Sequence, residues 1–234
     1  MDRLKLARTL LIASILYVVA FYFVGSAIKP GYSQLSNFVS EYNAAGTAWA
    51  RTLTYAGYLA TALLLSAFLI CARPLAQVSG ISRVGFGLLW SLPASFLLGV
   101  LAPCDAGCPI EGSTSQTLHN VFGILVYFGM GAGIVLVSFA PGVRLFAWRR
   151  IFLLLTGVAI PVVFFLMVES DLSAWRGLMQ RLLDIAMAVS LLISFNPLFG
   201  QHVEVGPNSS FKPNPLRGRL NSGVIAQKQE EPQP

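Results

Sequence analysis

The side chains of this 234-residue chain that could do chemistry collect in the short polar stretches between long apolar runs, where Glu41, Asp105, Glu111, His119, Glu169 and Asp171 lie. Two kinds of chemistry suit them. In one, Ser36 or Ser40 is a nucleophile, His119 the base and Asp105 or Glu41 the carboxylate that orients it, which is a chemically sufficient set for a hydrolase within a membrane. In the other, Ser33, Ser40, Glu41, Asp105, His119, Asn120, Gln180, Arg181 and Asp184 form a binding site, and their mixed charge suits a lipid headgroup or a small polar solute. Catalysis has the weaker case. The chain lacks Gly-x-Ser-x-Gly, His-Glu-x-x-His, a P-loop and a dinucleotide fingerprint. It has only two histidines, His119 and His202, so no three-His zinc site can be assembled. Binding or transport ranks first, a structural or assembly role without ligand second and the hydrolase third, and no cofactor is expected.

Cys104 and Cys108 flank Asp105-Ala106-Gly107 in a loop without basic residues. A disulfide across this tight loop is the first expectation if the loop faces an oxidising compartment. Metal binding by the two cysteines with His119 and Asp105 is the alternative. Those ligand types are acceptable, but their spacing matches none of the common structural zinc patterns, so no metal is assigned. Cys71 reads as a small packed hydrophobe.

Three elements must position these residues. In the first polar connection, Leu35, Phe38, Val39 and Tyr42 recur at i, i+3, i+4, i+7, which predicts a short helix lying in the interface. Ser36, Asn37, Ser40 and Glu41 would form its wet face, where Glu41 reads equally well as a plain solvated charge. In the second connection, Ser113 and Gln116 have capping-box spacing, so a helix should begin near Thr114 and gather Gln116, His119, Asn120 and Gly123 on one face. That face cannot point at lipid without leaving polar groups unpaired. Further on, Gln180, Arg181 and Asp184 are spaced to form a local network within one helical turn. Arg181 could then snorkel outward while Asp184 sits on the order of 10 Å along the helix, deep enough to make it a functional candidate.

Around these elements run six apolar stretches, Thr9–Ile28, Leu53–Ala72, Val84–Ala102, His119–Ala140, Ile151–Val168 and Leu178–Phe195. Each is near the roughly 20 residues a helix needs to cross hydrocarbon. The fold class is therefore all-α, a polytopic bundle of six transmembrane helices with a short extracytoplasmic interfacial helix. The first run exceeds the apolar core of a signal peptide and reads as a retained helix. Gly129 and Gly133 make a small-xxx-small step, Pro93 and Pro161 should interrupt the third and fifth helices, and Tyr22, Trp49, Trp148 and Trp175 read as interfacial anchors.

Twelve of the sixteen Lys and Arg residues fall on one set of connections and termini, and Lys29, Arg51, Arg176 and Arg181 on the other. The basic side should be cytoplasmic, which puts both termini inside and the polar side chains outside. The net charge of +6 is dispersed over short loops, which suits anionic headgroups and not nucleic acid. The bilayer is the expected partner, and no sequence feature sets an oligomeric state. Residues 1–196 should form the membrane domain. Residues 197–234, rich in proline and poor in large apolar side chains, should be a disordered cytoplasmic tail.

Three segments together resemble the domain-of-unknown-function family 998, a group of prokaryotic six-helix integral membrane proteins. They are Gly31-Tyr32-Ser33 through Ser40-Glu41, Pro103-Cys104-Asp105-Ala106-Gly107-Cys108-Pro109 with His119-Asn120, and Gly177-Leu178-Met179-Gln180-Arg181. Where that family commonly continues from the glutamate with Leu-Gly, this chain has Tyr42-Asn43. The resemblance implies an inner-membrane protein of uncharacterised role and supplies no substrate.

Overall fold

The computed structural model describes residues 2–144 and 146–200, with side chains through 143 and from 146 to 195. Of the proposed tail 197–234, residues 197–200 continue the last helix and residues 201–234 lie outside the described residues. Within them there is no strand, and six helices are long and apolar enough to cross a membrane.

These are α1 (Arg3–Ile28), α2 (Ala50–Ala72), α3 (Ile81–Leu101), α4 (Thr114–Val137), α5 (Ala147–Val168) and α6 (Arg176–Gly200). Most begin several residues before the apolar runs do, because charged and polar residues such as Arg3, Lys5 and Arg51 continue the helix without adding hydropathy. Local signals set the ends. The Asp2 side chain accepts the Leu4 N–H at the start of α1, and Ser113 Oγ accepts the Gln116 N–H at the start of α4, each satisfying a donor that the helix itself cannot. The capping box at Ser113 is not reciprocal, however. The Ser113 N–H donates to Asp105, and the Gln116 side chain is used elsewhere.

The helices pack in chain order, α1 on α2 and so on to α5 on α6, and α6 returns to α1, closing a ring. Connections 29–49, 102–113 and 169–175 therefore share one end of the bundle, called here the site end. They touch directly, since the Ala45 N–H donates to Cys104 O and the Leu178 N–H to Leu35 O. A cluster around Tyr42, Tyr58, Phe21 and Phe96 fills the ring near this end, and a second around Leu11, Phe68, Met130, Ile134, Leu153 and Met187 fills the rest. The outside is equally apolar, with Leu16, Phe23, Leu125 and Leu155 each more than 60% exposed. No water-soluble surface carries such a girdle, whereas acyl chains solvate it at no cost.

Close helix contacts rest on glycine. Gly129 lies against Ser91, and Gly133 against Leu88 and Gly85, so the small-xxx-small step faces α3. On the opposite side of α4, Gly131 approaches the carbonyl of Gly157. That carbonyl is the one Pro161 cannot bond four residues on, yet Pro161 leaves α5 an unbroken helix, contrary to the expected interruption. In α3 the regular helix does break, at Leu89–Trp90, just ahead of Pro93. The start of α2 is wound as a π-helix over Leu53–Leu59, a form common near functional sites.

The expected amphipathic interfacial helix is not what forms in connection 29–49. Residues 33–38 make a turn, and only Val39–Asn43 is helical, as one 3-10 turn pressed into the bundle. With so short a helix the 3.6-residue period has no meaning, and Glu41, placed by that period on the wet face, is instead buried together with Tyr42 and Asn43.

Candidate functional site

Two arginines fasten connection 29–49 to the start of α6. Glu41 Oε1 accepts the Phe38 N–H and pairs with Arg176 Nη2 at 3.2 Å, while Oε2 accepts from Asn37 Nδ2. Arg176 also donates from Nε to Ser36 O and stacks over the Phe38 ring at 4.4 Å. Arg181 does not pair with Asp184, one turn away. Its guanidinium reaches Gln34 O, Asn37 O and Gly177 O, along with the hydroxyls of Tyr32 and Tyr42. A tight turn leaves several carbonyls without partners, and a guanidinium has five N–H donors to offer them. Close approach of the turn requires Gly177, because a Cβ there would run into Asn37 O and Gln34 O. Tyr42-Asn43 is part of this joint: the Tyr42 hydroxyl donates to Tyr22 O, and Asn43 Nδ2 donates to Gly99 O in α3. Lys29 closes the loop from the other side, donating to Tyr42 O and Thr47 Oγ1. Burial pulls its ammonium below the ordinary lysine value, against the opposing pull of Glu41.

The second connection is a closed polar knot. The sulfurs of Cys104 and Cys108 are at bonding distance, with Cα atoms 5.1 Å apart. Asp105 accepts both the N–H and the hydroxyl of Ser113, and these bonds hold its carboxyl below the usual carboxylate range. The Asp105 N–H donates to Gln116 Oε1, Gln116 Nε2 to Asn120 Oδ1, and Asn120 Nδ2 to Ile110 O. Ser40 Oγ lies 3.3 Å from Cys108 Sγ, which ties the knot to the first connection. Cys104, Cys108 and His119 offer ligand atoms within 4.8 Å of one another, but Asp105, the expected fourth ligand, is committed to Ser113.

His119 Nδ1 lies 2.9 Å from Ala102 O. A carbonyl only accepts, so Nδ1 carries a proton, and when the ring is neutral Nε2 is left as an acceptor. No hydrogen bond joins His119 to Ser36, Ser40, Asp105 or Glu41 among the described residues, and the nucleophile–base–carboxylate order of a hydrolase is not assembled. Glu41 and Asp105 are spent elsewhere.

Two spaces meet at His119. An inner chamber of about 110 Å³ lies inside the ring and is lined by Tyr22, Tyr58, Phe96, Phe122, Tyr127 and Asp184, among others. A vestibule of about 530 Å³ lies between α4, α5 and the start of α6, with Asn120, Arg176, Phe164 and Phe165 in its walls. Ser40, His119, Gly123, Tyr127 and Gln180 line both. Gln180 spans this boundary, accepting the Val39 N–H and donating to the Tyr127 hydroxyl. Asp184 Oδ2 accepts the Tyr22 hydroxyl at 2.6 Å. The local network expected of Gln180, Arg181 and Asp184 is thus three separate long-range attachments.

Of the expected binding residues, Ser40, His119, Gln180 and Asp184 border the inner chamber, and Asn120 joins the first three in the vestibule. Ser33, Glu41, Asp105 and Arg181 instead build the loops that cover them. Arg176, by position an ordinary connection charge, and Tyr127, hidden in an apolar run, also line these spaces, as does Tyr22, which its place near a run end marks as an interfacial anchor. Trp49, Trp148 and Trp175 are exposed as an anchor should be, and Cys71 is a half-buried free thiol.

No curated protein and no solved structure matches the chain. One family model does match, over residues 11–195, which takes in most of each of the six helices and every residue of both chambers. The chain accordingly belongs to the family described as a protein of unknown function, DUF998.

Proposed function

We propose that this membrane protein binds an amphipathic molecule of lipid type, with its apolar part in the vestibule and its polar part at the boundary formed by Ser40, His119 and Gln180. The carrying observation is the vestibule itself. Its volume of about 530 Å³ falls in the ordinary range of small-molecule sites. It also changes character from one wall to the other. Ile124, Phe165 and Val168, exposed on the lipid-facing surface, bound the outer side, and His119, Asn120, Arg176 and Gln180 the inner. A molecule entering sideways from the bilayer keeps its chain in an apolar setting while its head meets fixed hydrogen-bonding groups. A water-soluble solute would gain nothing from the phenylalanine wall. By the distribution of basic residues the site end faces the extracytoplasmic side, so the bound head comes from the outer leaflet.

Gly123 provides the test, because it lines both spaces and a Cβ there meets only Phe164, at 3.9 Å. Filling the boundary with Gly123→Leu should leave the fold intact. Native mass spectrometry of protein purified in maltoside micelles should show a retained lipid-mass adduct on the wild type and its loss from Gly123→Leu at an unchanged melting temperature. Equal retention by both proteins, or none by the wild type across a panel of added phospholipids, overturns the reading.

A further inference from the structure

We infer that the inner chamber is a binding site for an organic ammonium group, of the kind carried by a zwitterionic headgroup or a free amine. The inference rests on the amphiphile reading for its biological source but on separate observations for its chemistry. Asp184 is the only acidic or basic side chain lining the chamber other than His119. It makes no ion pair among the described residues, and only its Oδ2 has a hydrogen-bond partner. The nearest guanidinium on its own helix, Arg181, is taken up by the turn carbonyls and by Tyr32 and Tyr42. Arg181 is near enough to act on Asp184 through space but makes no ion pair with it, so Oδ1 is left without a partner at membrane depth, and a cation in the chamber supplies one.

Hydrogen-bond direction points the same way. The Tyr22 hydroxyl proton goes to Asp184, that of Tyr58 to Val39 O, that of Ser95 to Leu92 O, and the His119 Nδ1 proton to Ala102 O. The Ser40 hydroxyl, also in the lining, donates to the disulfide sulfur of Cys108. With the His119 ring neutral, each of these groups has acceptor capacity left and no free proton. The donors left are the Tyr127 hydroxyl proton and one Gln180 N–H. An anion would find few donors and a carboxylate, whereas an ammonium finds acceptors. Five aromatic residues, Phe96, Phe122, Tyr22, Tyr58 and Tyr127, stand in the walls beside aliphatic side chains such as Leu92, Val126 and Met187. Aromatic faces around a desolvated site are the known means of holding alkylated ammonium ions by cation–π attraction.

The test uses methylammonium and tetramethylammonium chlorides as probes on the full chain in maltoside micelles, with sodium chloride at equal ionic strength as control. Saturable binding by calorimetry, with a matching rise in melting temperature, is expected for the wild type. Asp184→Asn should weaken it at least ten-fold. Because that variant also alters the bond to Tyr22, Phe122→Leu provides a second arm: it leaves the carboxylate and its partner in place and should weaken tetramethylammonium several-fold. Binding that sodium reproduces, or that both variants retain in full, overturns the inference. Lipid retention that Gly123→Leu abolishes, with no methylammonium binding by the wild type, rejects the ammonium site alone and leaves the amphiphile reading standing.

Discussion

Glu41 and Arg176 form an ion pair whose side chains are 8% and 25% exposed, so the two partners differ in what their loss leaves behind. Glu41→Ala leaves the guanidinium its carbonyl partner Ser36 but no counter-charge, and removes the acceptor of the Phe38 N–H and the Asn37 amide as well. Breaking a buried pair from one side costs about 3 kcal/mol or more. Unfolding of Glu41→Ala in mixed micelles should show a loss of that order, and Glu41→Gln, which keeps an acceptor at Oε1, a smaller one. A loss under about 1 kcal/mol for Glu41→Ala would mean the loop is not held this way. Asp105 gives a pH prediction. Its folded-state carboxyl lies below the ordinary value of about 3.9, so its contribution is present above that value and is lost as pH falls through the lowered one. Hydrogen exchange at the Ser113 amide should stay protected from neutral pH to about pH 4 and open only below it, whereas Asp105→Asn should open it at neutral pH.

At the scale of elements, glycines differ in the room around them, and only the crowded ones hold α4 between α3 and α5. A Cβ on Gly131 meets Gly157 O at 2.7 Å and Pro161 Cδ at 3.1 Å, both on a helix that cannot yield locally. A Cβ on Gly87 in α3 meets nothing within 4 Å. Gly131→Val should destabilise the bundle by about 1–3 kcal/mol, as overpacking does, and Gly87→Ala should be neutral or stabilise by up to about 1 kcal/mol through lower chain entropy. Equal melting temperatures for the two variants would remove the close α4–α5 contact. The Cys104–Cys108 loop is tested by alkylation. Neither thiol should react before reduction and both should react after it, while free thiols in the untreated protein would show the loop is not closed.

For the whole molecule, the orientation proposed from the twelve-to-four division of Lys and Arg, with the site end outside, is open to a direct test. Alkaline phosphatase should be active when inserted within Cys104–Ser115 and inactive when fused after Pro234, and the reverse pattern would invert every statement about outer and inner sides. Number, order and approximate ends of the helices were legible in the sequence, and so was the Ser113 cap, because these obey local rules. A span needs an unbroken apolar stretch to satisfy its backbone in hydrocarbon, and a cap needs a particular residue within one turn. Periodicity also separated the polar face of α4 from lipid. It could not say which partner each polar group would take, because the bonds that decide this join distant positions: Tyr22 to Asp184 is 162 residues apart, Val39 to Gln180 is 141 and Arg176 to Ser36 is 140. Apolar runs fix that a helix crosses but leave its rotation and neighbours free, since lipid solvates any apolar face equally well. Closing the ring of α1 on α6 settles both, and with them the burial of Glu41, the separation of Arg181 from Asp184, and the two spaces that meet at His119.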